Sequence, residues 1–280
     1  LQPVLVRGLK RSFVIAPGTI GRPLEALRTT PELPGPEPVP EEVVIAPAGG
    51  HYRLLFPSGL AALGSLRECL LQVDARISRQ ATAAERDALI LPAALLRSPA
   101  EQRIALVGGA RAGKSWIALA LMARGWQIEG DAWAAVRLGG LCALPRTIRI
   151  DEKPAALPAF LRGFAANAPL LPVDLSRNVH AVDPRSFGSP WRLQAGPVAA
   201  MFFLDRADGS RGAISLLDRD AAFRRGLILG ADRISGAGAA GLRLALAAAP
   251  AYRLQVGCPE RAAERVEGAC AGGVPDCSFN

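Results

Sequence analysis

Eight consecutive residues, Gly108-Gly109-Ala110-Arg111-Ala112-Gly113-Lys114-Ser115, have the types and spacing to grip a phosphate chain. They complete the pattern GxxxxGK[ST]. An apolar run at 104–107 precedes them and another at 116–122 follows, which is the strand, loop, helix order such a cradle needs. Glycines let the backbone curl until its amides point inward at an anion, and the start of a helix adds partial positive charge at the same place. Lys114 has the reach for β- and γ-phosphates, and the Ser115 hydroxyl suits Mg²⁺. Lysine is otherwise scarce. Of 33 basic residues only Lys10, Lys114 and Lys153 are lysines, so a lysine at the position the pattern needs is not readily accidental, and a compact ammonium fits a tight loop better than a planar guanidinium.

A phosphate loop implies a nucleotide but does not name a reaction. Asp131 lies seventeen residues after Lys114, far enough for one helix and a turn to return the chain beside the loop. It is expected to hold Mg²⁺ or to take a proton from an attacking hydroxyl. Glu129 shares a face with it if the stretch is extended and is a second candidate metal ligand. His180, one of two histidines, is a candidate for proton transfer or for positioning a phosphate. Arg146, Arg149 and Lys153 could gather around a phosphate. Arg177, Arg185 and Arg192 flank His180 in a proline-rich region of the kind that closes over nucleotides.

The elements that must hold these residues follow from periodicity. Val4-Leu5-Val6 and Ser12 to Ile15 read as strands, and the proline-rich stretch 30–42 reads as extended loop. Residues 43–45 and 52–56 read as a hairpin around Gly49-Gly50. Helical spacing runs from Gly59 to about Arg86. Residues 88–91 and 104–107 are expected to form a strand pair ahead of the loop. Arg124-Gly125 ends the helix after it, and Gly139-Gly140 turns a second hairpin. Met201-Phe202-Phe203-Leu204 is a buried strand, Asp218 a helix N-cap, 252–256 a last strand and 259–268 a last helix. The fold class expected is α/β, a mixed sheet carrying the phosphate loop with flanking helices. An N-terminal α+β subdomain (1–86) precedes the phosphate-loop domain (87–280).

Composition narrows the partners. The chain has 280 residues, half of them hydrophobic, and a net charge of +8. Its arginines are scattered and often adjoin acids, as in Asp205-Arg206 and Asp218-Arg219-Asp220, which favours a diffuse basic surface over a nucleic-acid footprint. The five cysteines form no CxxC pair and are expected as thiols in a reducing cytoplasm. No leader sequence is visible, and no apolar run is long enough to span a bilayer.

From Gly108 to Val136 the chain resembles the HPr kinase/phosphorylase family. There a glycine loop ending in Gly-Lys-Ser leads into a helix closed by Arg-Gly and then an acidic pair; Gly113-Lys114-Ser115, Arg124-Gly125 and Asp131 match. The stretch 145–154 resembles the family's basic segment, and Met201 to Arg206 resembles a late strand of its relatives. The resemblance implies a sheet like that of phosphoenolpyruvate carboxykinase. It also implies an ATP- and Mg²⁺-dependent kinase acting on a serine hydroxyl of a peptide or small protein, as in relatives that modify peptides in natural-product pathways. Homo-oligomers are possible. Ala132 stands where the family has its second acid, and the family's second signature is missing, so the protein HPr is not implied as substrate.

Two other classes remain open: a kinase for a small-molecule alcohol, and a nucleotide-binding partner or regulatory module without catalysis. A GTPase would carry an Asn-Lys-x-Asp guanine reader, and no lysine here follows an asparagine. A motor ATPase would place its acid after four apolar strand residues, which 126–130 do not supply.

Overall fold

A computed structural model of the protein describes residues 4–7, 12–16, 27–32, 40–151, 159–188, 190–206, 212–230 and 234–272. Strands β1 (Val4–Arg7), β2 (Ser12–Ala16), β3 (Pro40–Ala48), β4 (His51–Phe56) and β5 (Gly59–Gly64) lead into helix α1 (Leu66–Ala83). Strands β6 (Leu89–Leu91), β7 (Ala93–Arg97) and β8 (Arg103–Val107) precede the glycine loop; helix α2 (Lys114–Met122) and strand β9 (Gln127–Gly130) follow it. A hairpin of β10 (Ala134–Arg137) and β11 (Gly140–Ala143) comes next. After it stand β12 (Ile148–Asp151), α3 (Ala159–Asn167), β13 (Leu170–Pro172) and β14 (Asn178–Val182). The chain continues through β15 (Ala200–Arg206), β16 (Ile214–Leu216), α4 (Arg219–Leu229), α5 (Gly236–Ala248), β17 (Ala251–Val256) and α6 (Pro259–Cys270). The result is a mixed α/β fold. No described helix is long and apolar enough to cross a membrane.

The chain divides into two compact units, Leu1–Glu85 with Leu144–Arg192, and Arg86–Ala143 with Leu193–Asn280. The first holds a five-stranded sheet in the order β1-β2-β3-β4-β5 and a three-stranded sheet in the order β12-β14-β13. Period-two alternation puts Val4, Val6, Phe13, Ile15, Val43, Ile45, Leu54 and Phe56 on one buried face, against Cys69, Leu70, Val73 and Ile77 of α1. Leu171 and Ala181 join the same core, so the segment after residue 143 builds part of this unit.

The helical reading from Gly59 is corrected here, because residues 59–64 form β5 and pair with β4. The helix starts where Ser65 caps it. The Ser65 side chain accepts from the Glu68 amide, and the Glu68 carboxylate accepts from the Ser65 amide at 2.7 Å, a reciprocal pair that satisfies two end donors.

The second unit is built on a six-stranded sheet in the order β16-β17-β15-β8-β7-β9. β8, β15 and β17 run parallel. β7 is antiparallel to both β8 and β9, so β9 runs with β8. The C-terminal ends of four strands therefore share one edge, which is where ligands collect in sheets of this kind. β8 is buried along its whole length, as expected of a strand covered on both faces. Helix α2 packs on α6, β7 and β9, while α5 packs on α4 and on a separate sheet ordered β11-β10-β6. The expected pairing of 88–91 with 104–107 is corrected in turn. Pro92 interrupts the run, β6 joins β10, and β7 is the strand beside β8.

Candidate phosphate site

The glycine loop leaves the C-terminal end of β8, and α2 begins at Lys114. Two backbone positions shape the turn. Arg111 is left-handed at φ 62°, and Gly113, at φ 97°, stands at the N-cap. A non-glycine residue in that region costs roughly 1–2 kcal/mol, so the loop holds strain at Arg111, while Gly113 adopts its own geometry at little cost. Gly113 offers no side chain to cap the helix, and the first-turn amides of α2 are left as donors toward the loop.

Lys114 folds back over the loop. Its Nζ donates to the Gly108 carbonyl at 2.7 Å and to the Gly109 carbonyl at 3.0 Å. Burial pushes its pKa below the ordinary lysine value, and the negative charge of Asp131 partly offsets that push. Ser115 Oγ donates to Asp131 Oδ2 at 3.0 Å. Asp131 directly follows β9 and is only 4% exposed. A strand end two places from β8 thus delivers the acid to the helix that starts at the loop. Lys114, Ser115 and Asp131 come together with the residues from Gly108 to Gly113, as a magnesium–phosphate site requires. Mg²⁺ is usually held by one or two protein oxygens, with substrate phosphates and water completing its shell. The hydroxyl and the carboxylate fit that donor set. Among the described residues no cluster of three or more His, Cys, Asp or Glu side chains could make an all-protein cage.

Glu129 has a different setting. It is buried, and its oxygens accept from Arg103 Nε and Nη2 at 2.8 Å each and from Arg97 Nη2 at 3.3 Å. A forked pair of this kind satisfies a buried acid and ties β9 to β8. Both oxygens of Glu129 are thus engaged by guanidinium groups.

His180 belongs to the first unit. It sits on β14, paired with Ile150 of β12 and Leu170 of β13, and neither ring nitrogen has a hydrogen-bond partner among the described residues. None of its pairing partners is part of the loop. Arg146 and Arg149 both bond to Asp74, whereas Lys153 lies outside the described residues. Arg177, Arg185 and Arg192 pair with Asp174, Asp183 and Glu32.

Two further residues stand beside the strand that leads into the loop, Asp205 near the end of its parallel neighbour β15 and Arg225 of α4, which is hydrogen-bonded to Asp205. The sequence carried a usable signal for the first: four apolar strand residues, 201–204, followed by an acid. Nothing in the sequence marked Arg225 among so many arginines.

No protein-family model matches the chain, and no curated protein matches it. Among solved structures, the chain is similar to the Hpr(Ser) kinase/phosphatase from Coxiella burnetii. The two share 15% identity over 65% of this chain and 91% of that one, with a TM-score of 0.32. At that score the likeness decides neither fold nor activity.

Proposed function

We propose that the second unit is a Mg²⁺- and ATP-dependent phosphotransferase that moves a phosphoryl group onto a hydroxyl. The observation that carries the reading is the Ser115–Asp131 hydrogen bond at the first turn of α2, beside an ammonium folded over a glycine loop. The loop amides and Lys114 would grip the phosphates. Ser115 and Asp131 would hold Mg²⁺, which when bound neutralises charge on the β- and γ-oxygens. Phosphoryl transfer asks mainly for positioning and charge neutralisation, and these groups are of the right kind. Asp131 is also the candidate to accept the acceptor's proton. A serine hydroxyl of a peptide or small protein is the preferred acceptor, on the resemblance of Gly108 to Val136 to HPr-type kinases; a small-molecule alcohol is the near alternative.

Ala132 in place of a second acid favours a second reading, a nucleotide-binding partner or regulatory module without turnover. Incubation with ATP, Mg²⁺ and serine-containing peptides or small alcohols separates the two. Transfer that is lost in Asp131→Asn supports the kinase, and tight nucleotide binding without transfer to any acceptor supports the module.

A further inference from the structure

We infer that Arg225, anchored by Asp205, binds the terminal phosphate of the nucleotide held by the loop; this rests on the nucleotide-binding reading above. Asp205 is the penultimate residue of β15, the parallel neighbour of β8, and so lies at the same sheet edge as the loop. Its carboxylate accepts from Arg225 Nη1 at 2.9 Å, from Arg225 Nη2, and from Arg253 Nε at 2.7 Å. Arg225 Nη2 also donates to the Leu204 carbonyl at 2.8 Å. Residues neighbouring each member of this pair border the loop. A Cβ placed on Gly108 would meet Leu204 Cβ at 3.2 Å, and one on Gly109 would meet Leu229 Cδ2 at 3.9 Å. Leu229 stands one helical turn, about 6 Å, beyond Arg225 on the same face of α4.

The sheet order β15-β8-β7-β9 puts Asp205, which holds Arg225, and Asp131 on opposite sides of the loop strand. Of the two basic residues in the loop, Arg111 and Lys114, it is Lys114 whose ammonium folds over the turn, and a triphosphate carries more negative charge than one ammonium balances. A guanidinium at the flank can fork onto the outermost phosphate, beyond the amides that cradle the inner two. Asp205 has two arginines, so turning Arg225 toward a phosphate leaves the acid still paired with Arg253, and no charge is stranded. Arg225 is about a quarter exposed, which leaves its head within reach of a ligand.

Calorimetric titration of the full chain with Mg·ATP and with Mg·ADP tests this. Arg225→Ala is expected to weaken ATP binding about ten- to a hundredfold and ADP binding less than threefold, with Arg225→Lys recovering part of the loss. A purely structural tether of α4 would not separate the two nucleotides. Arg225→Gln, which keeps a polar side chain on α4 but removes the guanidinium, gives the same reading if the alanine variant does not fold. Equal losses for ATP and ADP, or no loss for either, would overturn the inference while the loop assignment stands. Failure of the unaltered protein to bind either nucleotide would overturn both.

Discussion

Ser115 Oγ donates a hydrogen bond to Asp131 Oδ2 at 3.0 Å, joining the first turn of α2 to the end of β9. The carboxylate is buried, and its charge attracts the Lys114 ammonium of the loop. Asp131→Asn keeps an oxygen acceptor for Ser115 but removes the charge. The expected result is nucleotide affinity within a few-fold of the unaltered protein in the absence of metal, loss of the gain that Mg²⁺ gives, and turnover reduced by about 10²–10⁴. Titrations with and without Mg²⁺ beside a transfer assay check it.

Lys114 sets the alkaline limit. Burial holds its pKa below 10.5, so between the folded and unfolded values the unfolded chain binds more protons. This group's contribution to folding stability therefore rises with pH across that window, while the ammonium that phosphate needs disappears from the folded protein. Nucleotide affinity is expected to be flat near neutrality and to fall at a pH below 10.5. Affinity that holds unchanged through pH 10.5 would contradict a phosphate-gripping role for Lys114.

Glu129 and Arg103 make the opposite kind of pair, one that holds the sheet. Arg103 also donates to the carbonyls of Leu141, Gln194 and Pro197, linking several segments of the second unit. Glu129→Ala strands a buried guanidinium and is expected to cost about 3–5 kcal/mol in urea unfolding. Mg²⁺ dependence of nucleotide binding should stay intact in the folded fraction. A changed Mg²⁺ requirement with unaltered stability would return Glu129 to the metal site.

The loop was legible because its requirements are local. Glycine positions, one lysine, one hydroxyl and the flanking apolar runs all lie within twenty residues, and chain continuity alone places Asp131 near them. The β3–β4 and β10–β11 hairpins were equally legible from their glycine pairs. What escaped was set by tertiary partners. Residues 59–64 carry apolar residues that suit a helix or an edge strand, and pairing with β4 chose the strand. Leu89–Leu91 read as the partner of β8, but Pro92 splits the run: Leu89–Leu91 joins another sheet and Ala93–Arg97 takes the place beside β8. Glu129 and Asp131 look alike in sequence, yet strand alternation is overridden where β9 ends. One acid meets Arg103 on β8 and the other meets Ser115. The segment 144–192 joins the N-terminal sheets through Leu171 and Ala181, a long-range contact with no sequence marker.

Binding of Mg·ATP to the unaltered protein and to Lys114→Ala, followed by calorimetry with circular dichroism as the fold control, tests the central assignment most directly. Removing the ammonium while the fold is retained is expected to weaken binding by on the order of 2–3 kcal/mol, about thirty- to a hundred-and-fiftyfold. Equal affinity in the two proteins, or no binding by either, would contradict the assignment of residues 108–115 as a nucleotide-phosphate site.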